Sequence, residues 1–301
     1  CNKDYSCVDG FCPSFVSIEG EVRLKNTINN SLLEELKSNI SEPILPKIYQ
    51  SYGIIIAGIG GTGVVTIGAV LGTAAQIDGK GSGVLDMTGL AQKGGSVKSF
   101  FRIFNDPKEV STIRLSYGDT NLLMGFDLLV SNDEEILKTL DKKITKSIIN
   151  SDEIMTGEFT RDKNFSLPFD KMKENLINFI GENNINFIPS TTIAKKLLGD
   201  SIFSNMFIVG NAYQAGLIPI SASSIEQAIT LNGVSIEQNI NAFRLGRHSI
   251  NKKNQIFDLI KEKQNIITDY NEKVIHRYNF LIKYQNKKYA EKYIELIDYA
   301  K

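Results

Sequence analysis

The strongest constraint on this chain is a glycine-rich turn set between two apolar runs. Ile54-Ile55-Ile56-Ala57 is a short β-branched run of the kind buried on both faces of a parallel sheet. It leads into Gly58-Ile59-Gly60-Gly61-Thr62-Gly63, and a small-residue stretch from about Val64 to Ile77 has helical length. A second run, Gly83-Val84-Leu85, ends in Asp86. Strand, G-x-G-x-x-G, helix, strand and acid, in that order, are the fingerprint of a dinucleotide-binding βαβ unit. In that reading Gly58 permits the tight turn and Gly60 lets backbone approach an NAD pyrophosphate at the helix N-terminus. Gly63, with Gly68 and Gly72, allows close helix–sheet packing, and Asp86 holds a ribose hydroxyl. A second reading gives the glycines only a structural task, shaping a tight crossover against a neighbouring domain.

The next residues depart from a dehydrogenase. A helix is expected after Asp86, yet the chain reads Met87-Thr88-Gly89 and then Gln92-Lys93-Gly94-Gly95, a loop that lets backbone lie close to a ligand or subunit. Gln92 and Lys93 are candidate polar contacts at the C-terminal edge of the sheet. Val97 to Phe104 reads as a strand, and Leu122 to Val130, apolar except for Asp127, as helix then strand. Asp133 opens a helix, Ser147 to Asn150 is a short strand, and Phe169 to Ile180 has helical spacing. Phe203 to Ala215 is an apolar helix stopped by Gly216, with Asn205 and Gln214 read as satisfied amides at the core edge. Ser223-x-x-Glu226 and Ser235-x-x-Gln238 read as capping boxes of two more helices. The alternation of strands with helix-length segments predicts an α/β fold: a three-layer, Rossmann-like, mostly parallel sheet. An N-terminal cysteine-bearing arm precedes it and a C-terminal helical tail, the start of a following domain, comes after it, giving segments 1–48, 49–250 and 251–301.

Charge and cysteine usage narrow the function. Lys plus Arg and Asp plus Glu each total 34, which argues against a chain built to grip nucleic acid or an anionic membrane. No apolar run approaches the ~20 residues of a membrane span. All three cysteines, Cys1, Cys7 and Cys12, lie in the opening dozen residues, so a disulfide framework is not the expectation. Thiolates so close in a glycine-containing loop can converge on one soft metal centre, although an iron–sulfur cluster typically takes four, and three ordinary thiols are the other reading. The chain opens on Cys1 without a signal-peptide pattern, and the expectation is a segment of a longer cytoplasmic polypeptide that carries the fourth ligand. From about Asn251 onward there is neither glycine nor proline, and Tyr289, Tyr293 and Leu296 share one helical face.

The string from Gly58 to Gly72, followed by Leu85-Asp86-Met87-Thr88-Gly89-Leu90-Ala91-Gln92-Lys93-Gly94-Gly95-Ser96-Val97, closely resembles the gamma domain of 2-oxoacid:ferredoxin oxidoreductases. The opening, Cys1 to Phe15, resembles the segment before that domain in the family's long fused form, which acts on indolepyruvate. Further matches follow in order at Ser204-Asn205-Met206-Phe207, Gly216-Leu217-Ile218-Pro219, Leu231-Asn232-Gly233-Val234 and Ala242-Phe243-Arg244. The resemblance implies oxidative decarboxylation of an aryl 2-oxoacid to an acyl-coenzyme A, with thiamine diphosphate and magnesium, 4Fe-4S clusters and ferredoxin as acceptor. It implies that Cys1, Cys7 and Cys12 are cluster ligands. It also implies that Gly58, Gly60, Gly61, Thr62, Gly63, Gln92 and Lys93 lie near the active site without holding NAD. Partners are then the remaining domains of the parent chain, in a homo-oligomer, with neither nucleic acid nor membrane. Val8-Asp9-Gly10 and Asn29-Asn30 resemble the thiamine motif only by accident: the first glycine is missing and the separation is short. That cofactor is expected in parts of the parent chain beyond these residues, and no catalytic residue is expected here.

Overall fold

The computed structural model describes residues 40–89, 95–153, 167–260 and 269–300. The cysteines, Gln92 and Lys93 lie outside the described residues. Two compact units, Cys1–Ile260 and Lys261–Lys301, divide the chain.

In the first unit, strand β1 (Tyr52–Ile59) is buried along its whole length, as its apolar run requires. Helix α1 (Val64–Ile77) follows, then β2 (Gly81–Thr88), β3 (Ser96–Phe104) and β4 (Leu122–Gly125). Next come the short helices α2 (Leu128–Ser131) and α3 (Glu134–Leu137), then β5 (Lys146–Asn150), α4 (Phe169–Ile180) and β6 (Ile185–Ile188). Helices α5 (Ser190–Ile193), α6 (Ser204–Gln214), α7 (Ala222–Asn232), α8 (Ile236–Asn251) and α9 (Lys253–Ile260) complete it.

The sheet order is β2-β3-β1-β4-β5-β6. The β1–β4, β4–β5 and β5–β6 pairings are parallel, whereas β3 runs antiparallel to both β1 and β2. Alternation along β1 sorts the core into two faces. Ile54 and Ile56 join Leu71, Phe207 and Phe243 on the side of α1, α6, α7 and α8. Ile55 and Ala57 join Leu123, Leu176 and Ile180 on the side of α2, α3 and α4. The result is a three-layer α/β domain.

Several local expectations change. Leu122 to Val130 is strand then helix, the reverse of the expected order, because Asp127 caps α2 by accepting from Val130 N–H at 2.7 Å. Helix α7 is capped by Ser221 instead of Ser223. Ser235 sits at the start of α8 with φ 42° and caps nothing through its side chain.

Ser221 is claimed by Asp78, the residue closing α1. Its carboxylate accepts from Ser221 N at 2.8 Å, Ser221 Oγ at 2.7 Å, Lys80 Nζ at 2.9 Å and Ser224 Oγ, tying α1 to α7. Burial alone would raise this carboxyl, but the bonds from Ser224, Lys80 and Ser221 outweigh it and hold it at about 2, below its ordinary 3.8. A depressed pKa stabilises the fold above the unfolded-state value, and that stabilisation is lost as pH falls toward the folded one. Asp78→Ala should therefore cost about 3 kcal/mol at pH 7. In urea titrations the gap from wild type should close as the pH drops through the window from 3.8 toward 2. A gap unchanged at low pH would mean the hydrogen bonds do not depend on the charge.

The second unit is a helical hairpin, α10 (Tyr270–Tyr284) and α11 (Lys287–Ala300). Tyr289, Tyr293 and Leu296 lie on one continuous helix, α11, with Tyr293 half-buried and Tyr289 and Leu296 exposed.

Candidate functional site: the glycine loop

The loop leaves β1 at Ile59 and enters α1 at Gly63, at the C-terminal edge of the parallel strands. Gly63 has φ 85°, in the left-handed region that favours glycine, and a Cβ there would also strike the amide of Asn205. Asn205 Nδ2 donates to Thr62 O at 3.2 Å, so an α6 side chain latches the loop. A Cβ on Gly58 would lie 2.5 Å from Thr62 Oγ1 and 3.1 Å from Phe126 Cβ, so this glycine serves close packing.

Several of the loop's donors bond within the protein. Gly60 N–H donates to Gly95 O at 2.8 Å, and Thr62 N–H to Ile59 O at 3.1 Å. Thr62 Oγ1 donates to the same carbonyl at 2.7 Å. Ile59 N–H donates to Asp127 Oδ2 at 2.6 Å. Asp127 is 1% exposed, and burial raises its carboxyl to about 6 despite bonds from the Val130, Ile59 and Leu129 N–H groups. A buried acid thus sits where the loop begins, the opposite of what a pyrophosphate needs. Lys98, one strand over, is also committed, at 2.8 Å from Asp133 and 2.9 Å from Glu135. Burial lowers its pKa, and the two carboxylates more than reverse this.

Topology removes the rest of the nucleotide reading. In a dinucleotide-binding unit the acid-bearing strand lies beside the first strand. Here β3 separates β2 from β1, which moves Asp86 two strand spacings, about 10 Å, from β1. The alternative of an NAD-binding Rossmann dehydrogenase is therefore corrected: the fingerprint is present in sequence order but not assembled in space. Sequence reasoning placed no role on Asp127, although a lone acid in an apolar stretch was the available signal. It treated Asn205 and Gln214 as satisfied amides, and both are bonded, Gln214 to Ser41 O and to Arg247 Nε.

Fold and loop together define a Rossmann-like α/β domain whose glycine turn is tied to Gly95, Asp127 and Asn205. Residues 53–249 match the pyruvate ferredoxin/flavodoxin oxidoreductase family, and the chain belongs to that family. It is 27% identical over 201 residues to the indolepyruvate oxidoreductase subunit IorB of Methanothermobacter thermautotrophicus, covering 65% of this chain and 96% of the relative. It is 26% identical over 204 residues to the pyruvate/ketoisovalerate oxidoreductases common subunit gamma of Pyrococcus furiosus, covering 67% and 96%. A crystal structure of the pyruvate oxidoreductase subunit PORC from Thermotoga maritima superposes with a TM-score of 0.48 at 19% identity, over 66% of this chain and 96% of that one. The α/β domain is the gamma domain of a 2-oxoacid:ferredoxin oxidoreductase.

Proposed function

We propose that this gamma domain serves an enzyme oxidising an aryl 2-oxoacid, indolepyruvate first, to its acyl-coenzyme A with ferredoxin as acceptor. The observation that carries the reading is the likeness to the indolepyruvate subunit over 96% of that relative's length. Thiamine diphosphate with magnesium, where bound in such an enzyme, supplies the electron sink for decarboxylation. The described residues do not fit that group: among them no set of three or more His, Cys, Asp or Glu is placed to hold a metal ion. This domain's own part is to present a rigid edge. Gly58 to Gly63, with Gln92 and Lys93, belong to the edge that meets the catalytic domains of the parent enzyme, and the loop is held in one shape by donating to Asp127 and Gly95 and accepting from Asn205. Cys1, Cys7 and Cys12 ligate a 4Fe-4S cluster with a fourth thiolate from outside this chain. The arm 1–48, the gamma domain 49–250 and the tail 251–301 divide these tasks in a cytoplasmic complex, and the isolated piece is inactive.

The test is the parent enzyme prepared anaerobically and assayed for indolepyruvate- and coenzyme-A-dependent reduction of a viologen dye. Turnover should be higher with indolepyruvate than with pyruvate or 2-oxoglutarate. Cys7→Ala/Cys12→Ala should lose iron and activity together. Full iron and activity in that variant would discard the ligand role alone. Absence of reduction with every 2-oxoacid would sink the substrate reading.

A further inference from the structure

The chain enters the α/β domain through residues 41–48, which form neither helix nor strand. Side chains hold this strap down. Leu45 and Ile48 pack against the core, and Asn105 Nδ2 donates to Ile48 O at 2.8 Å. Gln214 Nε2 donates to Ser41 O at 2.8 Å. Gly216, with φ 72°, admits Ile44 O to within 2.8 Å of the point a Cβ would occupy.

One tie differs in kind, because it neutralises a buried charge. Arg247 of α8 keeps 6% of its side chain exposed, and Tyr213 of α6 is 2% exposed. Arg247 Nη2 donates to Glu42 Oε1 at 3.0 Å, and Tyr213 Oη donates to Glu42 Oε2. Arg247 Nε donates to Gln214 Oε1 at 2.9 Å, and the guanidinium lies 4.9 Å from the centre of the Tyr213 ring. The cation is thus fixed from α6, and Glu42 is its one ion-pair partner among the described residues. Burial, then the bond to Glu42, raises the Tyr213 phenol above its ordinary 10, so it remains a donor. Two helices therefore supply one preset donor for each oxygen of a carboxylate. The carboxylate itself arrives on a segment without regular structure, with 60% of the Glu42 side chain exposed.

We propose that Tyr213 and Arg247, with Gln214 positioning the guanidinium, form a carboxylate-binding pocket that Glu42 fills in cis, and that this occupancy fastens the strap. A buried guanidinium left unpaired is strongly unfavourable, so the pocket selects an anion. A planar fork beside a phenol matches the two oxygens of a carboxylate better than it matches a spherical halide. In sequence the strap belongs to the arm before residue 49; in space it completes the domain. This pocket lies outside the enzymatic reading and stands without it.

The experiment separates filling the pocket from fastening the strap, using the whole 301-residue chain. Glu42→Ala empties the pocket and frees the strap together. Its thermal midpoint should fall, and trypsin should cut after the exposed Lys47 at least roughly tenfold faster than in wild type, the effect of losing a charge-assisted hydrogen bond. Sodium formate, titrated against sodium chloride at equal ionic strength, should restore the midpoint of Glu42→Ala along a saturable curve. It should not slow the cut after Lys47, because a free carboxylate fills the pocket without holding the strap. Wild type and Glu42→Gln, whose pockets are already filled, should gain nothing from formate over chloride. Were Glu42→Ala too unstable to stay folded, its refolding in formate but not in chloride would read the same pocket. Formate no better than chloride for Glu42→Ala, or an equal gain in wild type, would overturn the pocket. Cleavage after Lys47 as slow in Glu42→Ala as in wild type would overturn the fastening role.

Discussion

Gly246→Ala should destabilise the α/β domain by about 3–5 kcal/mol, although it adds one methyl group and improves helix propensity. Helices α6 and α8 cross with their backbones in contact. A Cβ on Gly246 would overlap the carbonyl oxygen of Phe207 and lie 2.8 Å from Asn211 N, and one on Gly210 would overlap the carbonyl oxygen of Phe243. Backbone cannot rotate away as a side chain can, so the helices must separate. Phe207 and Phe243 are both fully buried, and separation loosens their packing along with the ring contact of Tyr213 and Phe243 at 5.7 Å. Replacing glycine by alanine in a helix gains only about 1 kcal/mol, so the steric effect wins. Gly72→Ala in α1 is the control. Its Cβ meets only Val84 Cγ2 at 3.4 Å, an ordinary contact, and propensity should decide. Denaturant midpoints should therefore fall sharply for Gly246→Ala and Gly210→Ala and hold or rise for Gly72→Ala. A Gly246→Ala midpoint close to wild type would show that the crossing tolerates an added methyl.

What the sequence disclosed follows a physical line. The bounds of α1 and α4 were readable because helical spacing and flanking glycine or proline are local signals. The presence of β1, β3 and β5 was readable from short, bounded apolar runs, although β1 extends two residues beyond its run at each end. The insertion of β3 between β1 and β2 was not readable, since strand pairing depends on contacts distant in sequence and leaves no periodic trace. That one pairing decides between a nucleotide site and the observed edge. The cap of α7 was misplaced by two residues because Asp78, 143 positions before Ser221, holds that serine in place. Asp127 and the loop it closes are 68 residues apart. The family was legible from the succession of short strings, while the part each loop residue plays emerged only from three-dimensional contacts.

The largest effect at the candidate site is expected at Asp127. Its two oxygens accept from Ile59 N–H at 2.6 Å and Val130 N–H at 2.7 Å, so it fixes both the exit of β1 and the start of α2. Asp127→Ala strands buried N–H groups, each costing about 1–3 kcal/mol, for a total near 3–5 kcal/mol. Asp127→Asn keeps one acceptor but sets an NH2 group against an N–H, and should cost roughly 2–3 kcal/mol. The pH dependence carries the sharper test. Folding raises this carboxyl from 3.8 to about 6, so the native state binds the proton more tightly than the unfolded chain. The stabilisation due to Asp127 is then complete below the unfolded value and declines as pH rises through the folded one. Relative to Asp127→Asn, which cannot titrate, wild type should lose up to about 3 kcal/mol of advantage between pH 4 and 6.5. That is the reverse of the trend at Asp78, and the two acids measured side by side report opposite environments within one domain. A wild-type advantage that grows with pH over this range would mean that the loop amides favour the carboxylate over the acid, and that the loop's first turn tolerates a negative charge at no cost.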